Sequence, residues 1–354
     1  MTGRGEGEAP SAAGGPARHT PVLLPPVLDM LKPRDGARYI DCTFGAGGYS
    51  RAILDSADCE LLALDRDPEA LAGGKAMARK YGARLTLKHA AFGDLAEAAE
   101  ESGFVPADGV VFDIGVSSMQ LDDAARGFSF MRDGPLDMRM SSEGMSAADV
   151  VNSFDEAEIA DILFLLGEER RSRPIARAIV RRREATPFTT TLDLAELIAG
   201  VIPRRHDDPK HPATRSFQAL RIFVNDELGE LARGLAAAEA ILREGGRLVV
   251  VTFHSLEDRI VKTFLAERSG KKGGTSRHLP VSGSTRAPSF TLLARKPVEP
   301  DEAEISANPR ARSARLRAGE RTDAEAWPLD RLSLGIPDPN VAERRQSYRT
   351  FTKN

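Results

Sequence analysis

Cysteine is scarce in this sequence, with two in 354 residues, Cys42 and Cys59. Two thiols are too few for a disulfide framework or for a structural zinc site. Both lie in segments with the composition of buried βα structure, so we expect two reduced cysteines in the core. The sequence thus excludes the class of small disulfide-stabilised secreted domains.

Long apolar runs are also lacking. No stretch approaches the roughly 20 apolar residues that cross a bilayer, and the N-terminus has no basic region followed by an apolar segment, as a secretory signal would. We therefore expect a cytoplasmic protein without a membrane span. Residues 1–18 are rich in Gly, Ala, Pro and Glu, which predicts a disordered leader. The net charge of −3 is the sum of acidic helices and arginine clusters, so it does not indicate whether the protein binds nucleic acid.

Short apolar strands alternate with helical segments at both ends of the chain. Strands are predicted at residues 39–42, 60–65, 84–88, 109–113 and 247–253, and a final antiparallel hairpin at 289–295 and 314–318. Helices are predicted at 21–31, from about 50, and at 68–81, 226–242 and 254–267, with a turn at 244–246 and a loose loop at 271–288. The alternation is typical of a parallel, doubly wound α/β sheet.

The middle of the chain has a different character. Strand-like runs disappear after about residue 121, and helical runs replace them at 147–151, 156–166, 175–183 and 192–201. We predict a helical domain at 121–224 inserted into a discontinuous α/β domain formed by 19–120 and 225–322. Residues 323–354 are predicted to be a tail.

A glycine-rich turn runs from Asp41 to Ser50, after the first predicted strand. Glycines let the backbone approach a ligand without a Cβ, and amides at the start of the next helix would face that ligand. An ordinary βα turn can also use glycine. Asp65 ends the next strand about 20 residues on, where an acid can accept hydrogen bonds from the hydroxyls of a ribose.

The ligand of this turn is either a dinucleotide or S-adenosylmethionine. The turn departs from G-x-G-x-x-G, and the acid Asp41 precedes its glycines. A carboxylate suits a sulfonium or an ammonium and is poorly placed beside a pyrophosphate, which favours S-adenosylmethionine over NAD. Asp113 ends the fourth strand at the carboxyl edge, where open α/β sheets bind ligands; a helix or turn cap is the alternative role.

The reaction can be narrowed by the available nucleophiles. Methylation of cytosine C5 requires a cysteine thiolate, and neither cysteine ends a strand beyond the cofactor turn. Methylation of an exocyclic amine requires alignment with the methyl donor and hydrogen-bond acceptors on the amine. The Asp-Pro-Pro-aromatic motif of many amino-methyltransferases is replaced by Asp113-Ile-Gly-Val-Ser-Ser, so no general base is assigned. No spacing of ligand residues indicates a metal.

Three cationic groups are candidate RNA surfaces, although solvated helix faces are the alternative. They are Arg170, Arg171, Arg173, Arg177, Arg181, Arg182 and Arg183; His211, Arg215 and Arg221; and Arg310, Arg312, Arg315 and Arg317. For His254 we expect a structural hydrogen bond at the sheet edge, with Glu257 and Asp258 as first-turn acids of the next helix.

Several long strings resemble the MraW/RsmH family of ribosomal RNA methyltransferases. They are DCTFGAGGYS from Asp41, DIGVSS from Asp113, QLDD from Gln120, RGFSFMRDGPLDMRM from Arg126, HPATRSFQALR from His211, FHSLEDRIVK from Phe253 and NPRARS from Asn308. The resemblance covers roughly residues 19–322. It implies a Rossmann-like class I methyltransferase with an inserted helical domain, which uses S-adenosylmethionine to methylate N4 of one cytidine in the decoding region of 16S rRNA.

The resemblance also implies partners and site residues. The partner would be 16S rRNA or the small ribosomal subunit, and a homodimer is possible. Tyr49 stands where many relatives have His, which makes a side-chain contact doubtful there but not a backbone contact. The implied cofactor contacts are Gly47, Gly48, Tyr49, Asp65, Phe92, Asp113 and Gln120.

Two other functions stay open at this point. One is a different nucleic-acid amino-methyltransferase, which the missing Asp-Pro-Pro-aromatic motif disfavours. The other is a non-catalytic cofactor-binding protein that assists ribosome assembly, which the intact set of Asp41, Asp65 and Asp113 disfavours.

Overall fold

The computed structural model describes residues 21–141, 143–202, 211–271, 286–337 and 339. The predicted leader, most of the predicted loop at 271–288 and the end of the predicted tail lie outside these residues. Among the described helices, none combines the length and the apolar character that a bilayer span requires.

The strands form one sheet. They are β1 (Arg38–Asp41), β2 (Glu60–Asp65), β3 (Leu85–His89), β4 (Ala107–Asp113), β5 (Leu242–Thr252), β6 (Phe290–Leu292) and β7 (Arg315–Arg321). Their order is β3-β2-β1-β4-β5-β7-β6, and β7 runs antiparallel to both β5 and β6. The first five strands are parallel. This is the sheet of a Rossmann-like class I methyltransferase, so the predicted α/β class and the predicted hairpin are confirmed.

Helices connect the strands and cover the sheet. They are α1 (Leu24–Leu31), α2 (Gly48–Ser56), α3 (Pro68–Tyr81), α4 (Leu95–Glu101), α5 (Ser118–Asp122), α6 (Ala147–Ser153), α7 (Glu156–Gly167), α8 (Ser172–Arg183), α9 (Thr191–Val201), α10 (Thr214–Asn225), α11 (Glu227–Ile241), α12 (Ser255–Arg268) and α13 (Glu302–Ala307). Local signals explain several starts. Asp67 caps α3 by accepting from the Glu69 amide at 3.0 Å, and Pro68 follows at the first helical position.

The sheet is buried on both faces because successive side chains of a strand point to opposite sides. On one face, Tyr39 and Leu61 pack with α1 and α2. On the other, Ile40 and Leu62 belong to a larger core with α4, α11 and α12. Cys42 and Cys59 are free and buried, one in each core, as expected.

The helices after β4 continue the larger core. Phe154, Phe188 and Ile198 are fully buried in the same cluster as Ile40. Phe154 at the end of α6 meets Phe223 of α10 edge to face, with ring centroids 5.7 Å apart. The predicted helical runs at 147–201 correspond to α6–α9, whereas α4, α5, α10 and α13 were not predicted. A separate domain at 121–224 remains a prediction.

Two boundaries differ from the sequence-based expectation. The predicted turn at 244–246 lies within β5, which begins at Leu242 and changes register against β4 between Ala107 and Gly109. Part of the predicted tail is packed, since Leu334 is 1% exposed within the larger core.

A buried ion pair joins α11 to α12, beside the hairpin of β6 and β7. The Glu239 and Arg268 side chains are 0% and 2% exposed, with Oε2 and Nε 2.5 Å apart. The other Glu239 oxygen accepts from the Ser289 hydroxyl at 2.5 Å and from the Trp327 amide at 3.0 Å. The Arg268 guanidinium also lies 3.8 Å from the Phe264 ring centroid. Because Glu239 and Arg268 are both buried and pair with each other, removing one side chain should leave the other charge buried without a counter-ion.

We expect Glu239→Ala to lower the free energy of unfolding by about 3–5 kcal/mol, because Arg268 would stay buried without its counter-ion. Glu156→Ala is the control. It breaks an exposed pair with Arg177, 3.3 Å long, and should cost less than about 1 kcal/mol. Urea unfolding measures both variants, and equal losses would contradict this assignment.

Candidate active site at the carboxyl edge of the sheet

The turn after β1 is held by a buried carboxylate. Asp41 is 0% exposed; its oxygens accept from the Ser50 hydroxyl at 2.6 Å and from the Thr43 amide at 3.1 Å. Burial raises the pKa of Asp41 to about 6, against the lowering effect of these hydrogen bonds. Asp41 therefore stabilises the turn from inside, and the structure does not direct it toward a ligand cation as the sequence suggested.

At two of the three glycines of the turn, a side chain would collide with other residues of the protein. Gly47 has φ +74°, and a Cβ there would lie 2.8 Å from Met77 Cε. A Cβ on Gly48 would collide with the Pro21 ring. A Cβ on Gly45, at φ +51°, would meet only the Thr43 carbonyl at 3.9 Å. Gly45 is therefore the position where the turn leaves open space.

Asp65, the last residue of β2, is hydrogen-bonded to the turn after β1. Its Oδ2 accepts from the Gly45 amide at 2.8 Å, and its Oδ1 accepts from the Asp67 amide at 2.8 Å. Burial raises the pKa of Asp65, and these backbone bonds oppose the shift. Each carboxylate oxygen retains a further lone pair for a ligand hydroxyl.

Gln120 reaches the same region through Asp67. Its Nε2 donates to Asp67 Oδ2 at 2.8 Å, and its Oε1 accepts from the Ser117 amide at 3.0 Å in the capping box of α5. Arg126 donates to the same Asp67 oxygen at 2.8 Å. Sequence reasoning missed Asp67 and the role of Arg126; the only available signal was that Arg126 begins one of the family strings.

Two other predicted contacts have their side chains engaged in packing. Tyr49 is 3% exposed, and its hydroxyl donates to the Val22 carbonyl. Phe92 meets Phe112 edge to face at 5.9 Å between centroids. Only the backbone of Tyr49 is left for a ligand, in line with the doubt raised by its substitution. All seven cofactor contacts remain predictions.

Asp113 differs from the other acids at this edge. Its amide donates to Thr43 Oγ1 at 2.7 Å, which fixes the end of β4 to the turn. Its Oδ1 is buried and has no hydrogen-bond partner among the described residues. Burial, with the negative charges of Asp41 and Glu257 nearby, raises the pKa of Asp113 to about 8. A buried polar atom without a partner is unusual and points to a ligand that supplies one.

Beside Asp113, the end of β5 and the start of α12 carry a buried charge cluster. Arg221 donates to both oxygens of Glu227, at 2.7 and 2.8 Å. Glu257 is 0% exposed, and its Oε2 accepts from the amides of Phe253 at 2.8 Å and His254 at 3.2 Å. Burial alone would raise the pKa of Glu257, but His254, Arg221 and the Phe253 amide hold it below its ordinary value. His254 caps α12, and Glu257 and Asp258 are first-turn acids, as expected.

The structure separates the three cationic groups into exposed and internal members. Four arginines are partly buried and are held by other residues of the protein: Arg182 by Asp193, Arg183 by the Val151 carbonyl, Arg221 by Glu227 and Arg317 by Asp258. Several others pair at the surface, with Glu156, Asp122 or Asp258. The exposed members are Arg170, Arg171, Arg173, Arg177, Arg181, His211, Arg215, Arg310, Arg312 and Arg315.

The raised pKa of Asp113 predicts that this residue lowers the free energy of unfolding to an extent that depends on pH. Between about pH 4 and pH 8 the folded chain holds a proton that the unfolded chain releases, so this carboxyl lowers the free energy of unfolding as pH rises. Asp113→Asn should therefore stabilise the protein, by about 1–3 kcal/mol at pH 8 and by much less at pH 5.

Urea unfolding at the two pH values measures this effect. Asp108→Asn is the matched control at the opposite end of β4, where the carboxylate accepts from Arg34 at 2.5 Å and from the Arg38 amide at 2.8 Å. That variant should gain nothing as pH rises. An Asp113→Asn variant with the same advantage at both pH values would contradict the account.

Known proteins resemble this chain over most of its length. The "Ribosomal RNA small subunit methyltransferase H" of Parvibaculum lavamentivorans is 60% identical over 318 residues, 90% of this chain and 94% of that relative. A protein of the same name from Azorhizobium caulinodans is 56% identical over 349 residues, 99% of each chain. The solved precorrin-6y C5,15-methyltransferase of Geobacter metallireducens covers 86% of this chain and 94% of its own at 10% identity, with a TM-score of 0.38. The MraW methylase family model matches residues 16–322, and the chain belongs to that family.

Proposed function

We propose that this protein transfers a methyl group from S-adenosylmethionine to N4 of a cytidine in the decoding region of 16S rRNA. The observation that carries the proposal is the buried, unpartnered Oδ1 of Asp113, next to the turn after β1. The names of the relatives support small-subunit ribosomal RNA as the substrate.

The residues at the edge fit the proposed cofactor. Asp65 has lone pairs for ribose hydroxyls, the Gly45 position is open, and Phe92 offers an aromatic surface nearby. The carboxylates of Asp65 and Asp41 lie at this edge, which suits a ligand that carries a sulfonium cation. When bound, S-adenosylmethionine supplies an activated methyl group on positively charged sulfur.

Asp113 is proposed to face the target amine. Its Oδ1 accepts a hydrogen bond from the N4 amino group and draws electron density toward the nitrogen. When the methyl group passes from sulfur to N4, the amine loses one proton, which the ionised form of Asp113 would take up and then release to solvent. A pKa near 8 suits a group that accepts and releases a proton near neutral pH.

The two alternative functions are separated by their products. Another amino-methyltransferase would methylate a different nucleic acid, and a non-catalytic assembly factor would bind the cofactor without transferring methyl to RNA. A cytoplasmic location and a possible homodimer stay predictions of the sequence.

The exposed arginines at and before α8 are proposed to contact phosphates of the rRNA. Arg170, Arg173 and Arg181 are exposed, whereas Arg182 and Arg183 on the same segment are held internally. Phosphate contacts position a nucleic acid without reading its sequence. This surface would therefore contribute affinity, and the carboxyl edge would select the base.

We expect Asp113→Asn to lower kcat/KM for methyl transfer to small-subunit rRNA by roughly 100-fold or more, because the amine loses its proton acceptor. The assay follows transfer of labelled methyl, with mass analysis of the nucleosides for N4-methylcytidine. Asp108→Asn on the same strand should keep native activity. Because Asp113→Asn should fold more stably than the native chain, its inactivity would not reflect unfolding. Native activity in this variant would contradict the proposal.

The triple variant Arg170→Ala, Arg173→Ala, Arg181→Ala should bind rRNA more weakly and with a smaller salt dependence. Each lost phosphate contact should reduce the slope of log affinity against log salt by about 1. The control removes three exposed cations of α3, Lys75, Arg79 and Lys80, which are also replaced by Ala. Equal effects of both triples in a filter-binding titration would show that only net charge matters.

A further inference from the structure

The side chain of Thr43 joins the turn after β1 to the end of β4. Its Oγ1 accepts from the Asp113 amide at 2.7 Å. The same hydroxyl donates to Asp41 Oδ1 at 3.5 Å, and the Thr43 amide donates to that oxygen at 3.1 Å. A hydroxyl has one proton and two lone pairs, so it can accept from one group while it donates to another. Thr43 therefore connects the carboxylate that stabilises the turn to the backbone of Asp113.

This side chain makes its contact where the backbone of the turn leaves β4. Cys42, the residue after β1, still donates its amide to the Val111 carbonyl of β4 at 2.9 Å, as in a parallel ladder. Two residues further on, the Phe44 amide donates to the Leu64 carbonyl of β2 at 2.8 Å. Between these two positions, the Thr43 hydroxyl supplies the acceptor for the last amide of β4.

The support of Thr43 is buried. Asp41 is 0% exposed, and its other oxygen accepts from the Ser50 hydroxyl at 2.6 Å. Ser50 is itself 0% exposed and belongs to α2. Hydrogen bonds in such a place are strong, because water does not compete for them. A β-branched side chain also has few rotamers, so the Thr43 hydroxyl has a defined direction.

We propose that Thr43 is a positioning residue for methyl transfer, whose hydroxyl holds Asp113 at a fixed distance from the cofactor turn. This inference rests on the proposed function. In that reaction the turn holds the methyl donor and Asp113 accepts from the amine, so a bond between the two sets the separation of the reacting groups. A misplacement of about 1 Å can cost roughly 100-fold in rate. Thr43 acts through Asp113.

Thr43→Val tests the inference, because valine has nearly the shape of threonine but no hydroxyl. We expect kcat for labelled methyl transfer to small-subunit rRNA to fall about 10-fold or more, with native KM for the RNA and native affinity for S-adenosylmethionine. Thr43→Ser keeps the hydroxyl and should retain most of the native kcat. Thr43→Ala removes the hydroxyl with less bulk and should show the same loss as valine, and it decides the test if thermal unfolding shows that the valine variant does not fold.

Thr252→Val is the matched control. Thr252 is the last residue of β5 and is 1% exposed, and its hydroxyl donates to the Arg315 carbonyl at 3.3 Å. It also joins two neighbouring strands, but its bond leads to β7, on the side of β5 away from β4. This variant should keep native kcat. Equal losses in Thr252→Val and Thr43→Val would overturn the inference.

A double-mutant cycle shows whether Thr43 acts through Asp113. Thr43→Val should lower kcat in the native background and leave kcat of Asp113→Asn unchanged, because the carboxyl that it positions is already lost. Losses that multiply would overturn the inference, since Thr43 would then act on the cofactor turn. Native kcat in Thr43→Val, beside the expected loss in Asp113→Asn, would overturn it and leave the proposed function intact. No transfer by the native protein would contradict the proposed function, and this inference with it.

Discussion

The parallel register of β1, β2, β4 and β5 is the constraint on which the site depends. Asp41 lies opposite Ala63 and Val111, and Asp65 and Asp113 each extend two residues beyond those partners. Because every parallel strand rises by about 3.3 Å per residue, Asp65 and Asp113 lie at the same distance beyond Asp41 along the strand direction. A slip of one residue would move each acid to the other face of the sheet. The backbone hydrogen bonds of the sheet thus determine the chemistry of its edge.

That arrangement has an energetic cost. Asp41 is buried and Asp113 is partly buried, both have raised pKa values, and the buried Oδ1 of Asp113 has no partner among the described residues. Elsewhere buried charges are paired, as in Glu239 with Arg268 and Arg221 with Glu227. The contrast is informative, because a buried carboxyl oxygen without a partner at the edge where a ligand would enter points to a ligand that supplies one. The loss of folding stability expected from Asp113 therefore fits a carboxyl group whose hydrogen-bond partner is the substrate.

The sequence predicted the sheet well and the site only in part. Alternation of apolar strands and the hairpin pattern carry local information, and Asp65 and Asp113 were identified because they end strands. Asp67 acts through Gln120 and Arg126, which lie 53 and 59 residues away in the chain, and no local pattern reveals such contacts. Arg221 and Glu227 are close in the chain, but their pairing depends on the junction between α10 and α11. Asp41 uses its oxygens within its own turn, where Ser50 and Thr43 donate to them, and the sequence did not show this. Arg182 and Arg317 looked like free surface charge, but both are partly buried and pair with Asp193 and Asp258.

The central claim is that this edge methylates N4 of one cytidine in small-subunit rRNA. Mass analysis of rRNA nucleosides from cells with and without the gene tests it most directly, with each strain's small-subunit rRNA digested around the decoding region. The account predicts that N4 methylation of that cytidine disappears on deletion, returns with the native gene, and does not return with a gene encoding Asp113→Asn. Full methylation in the deletion strain would contradict it.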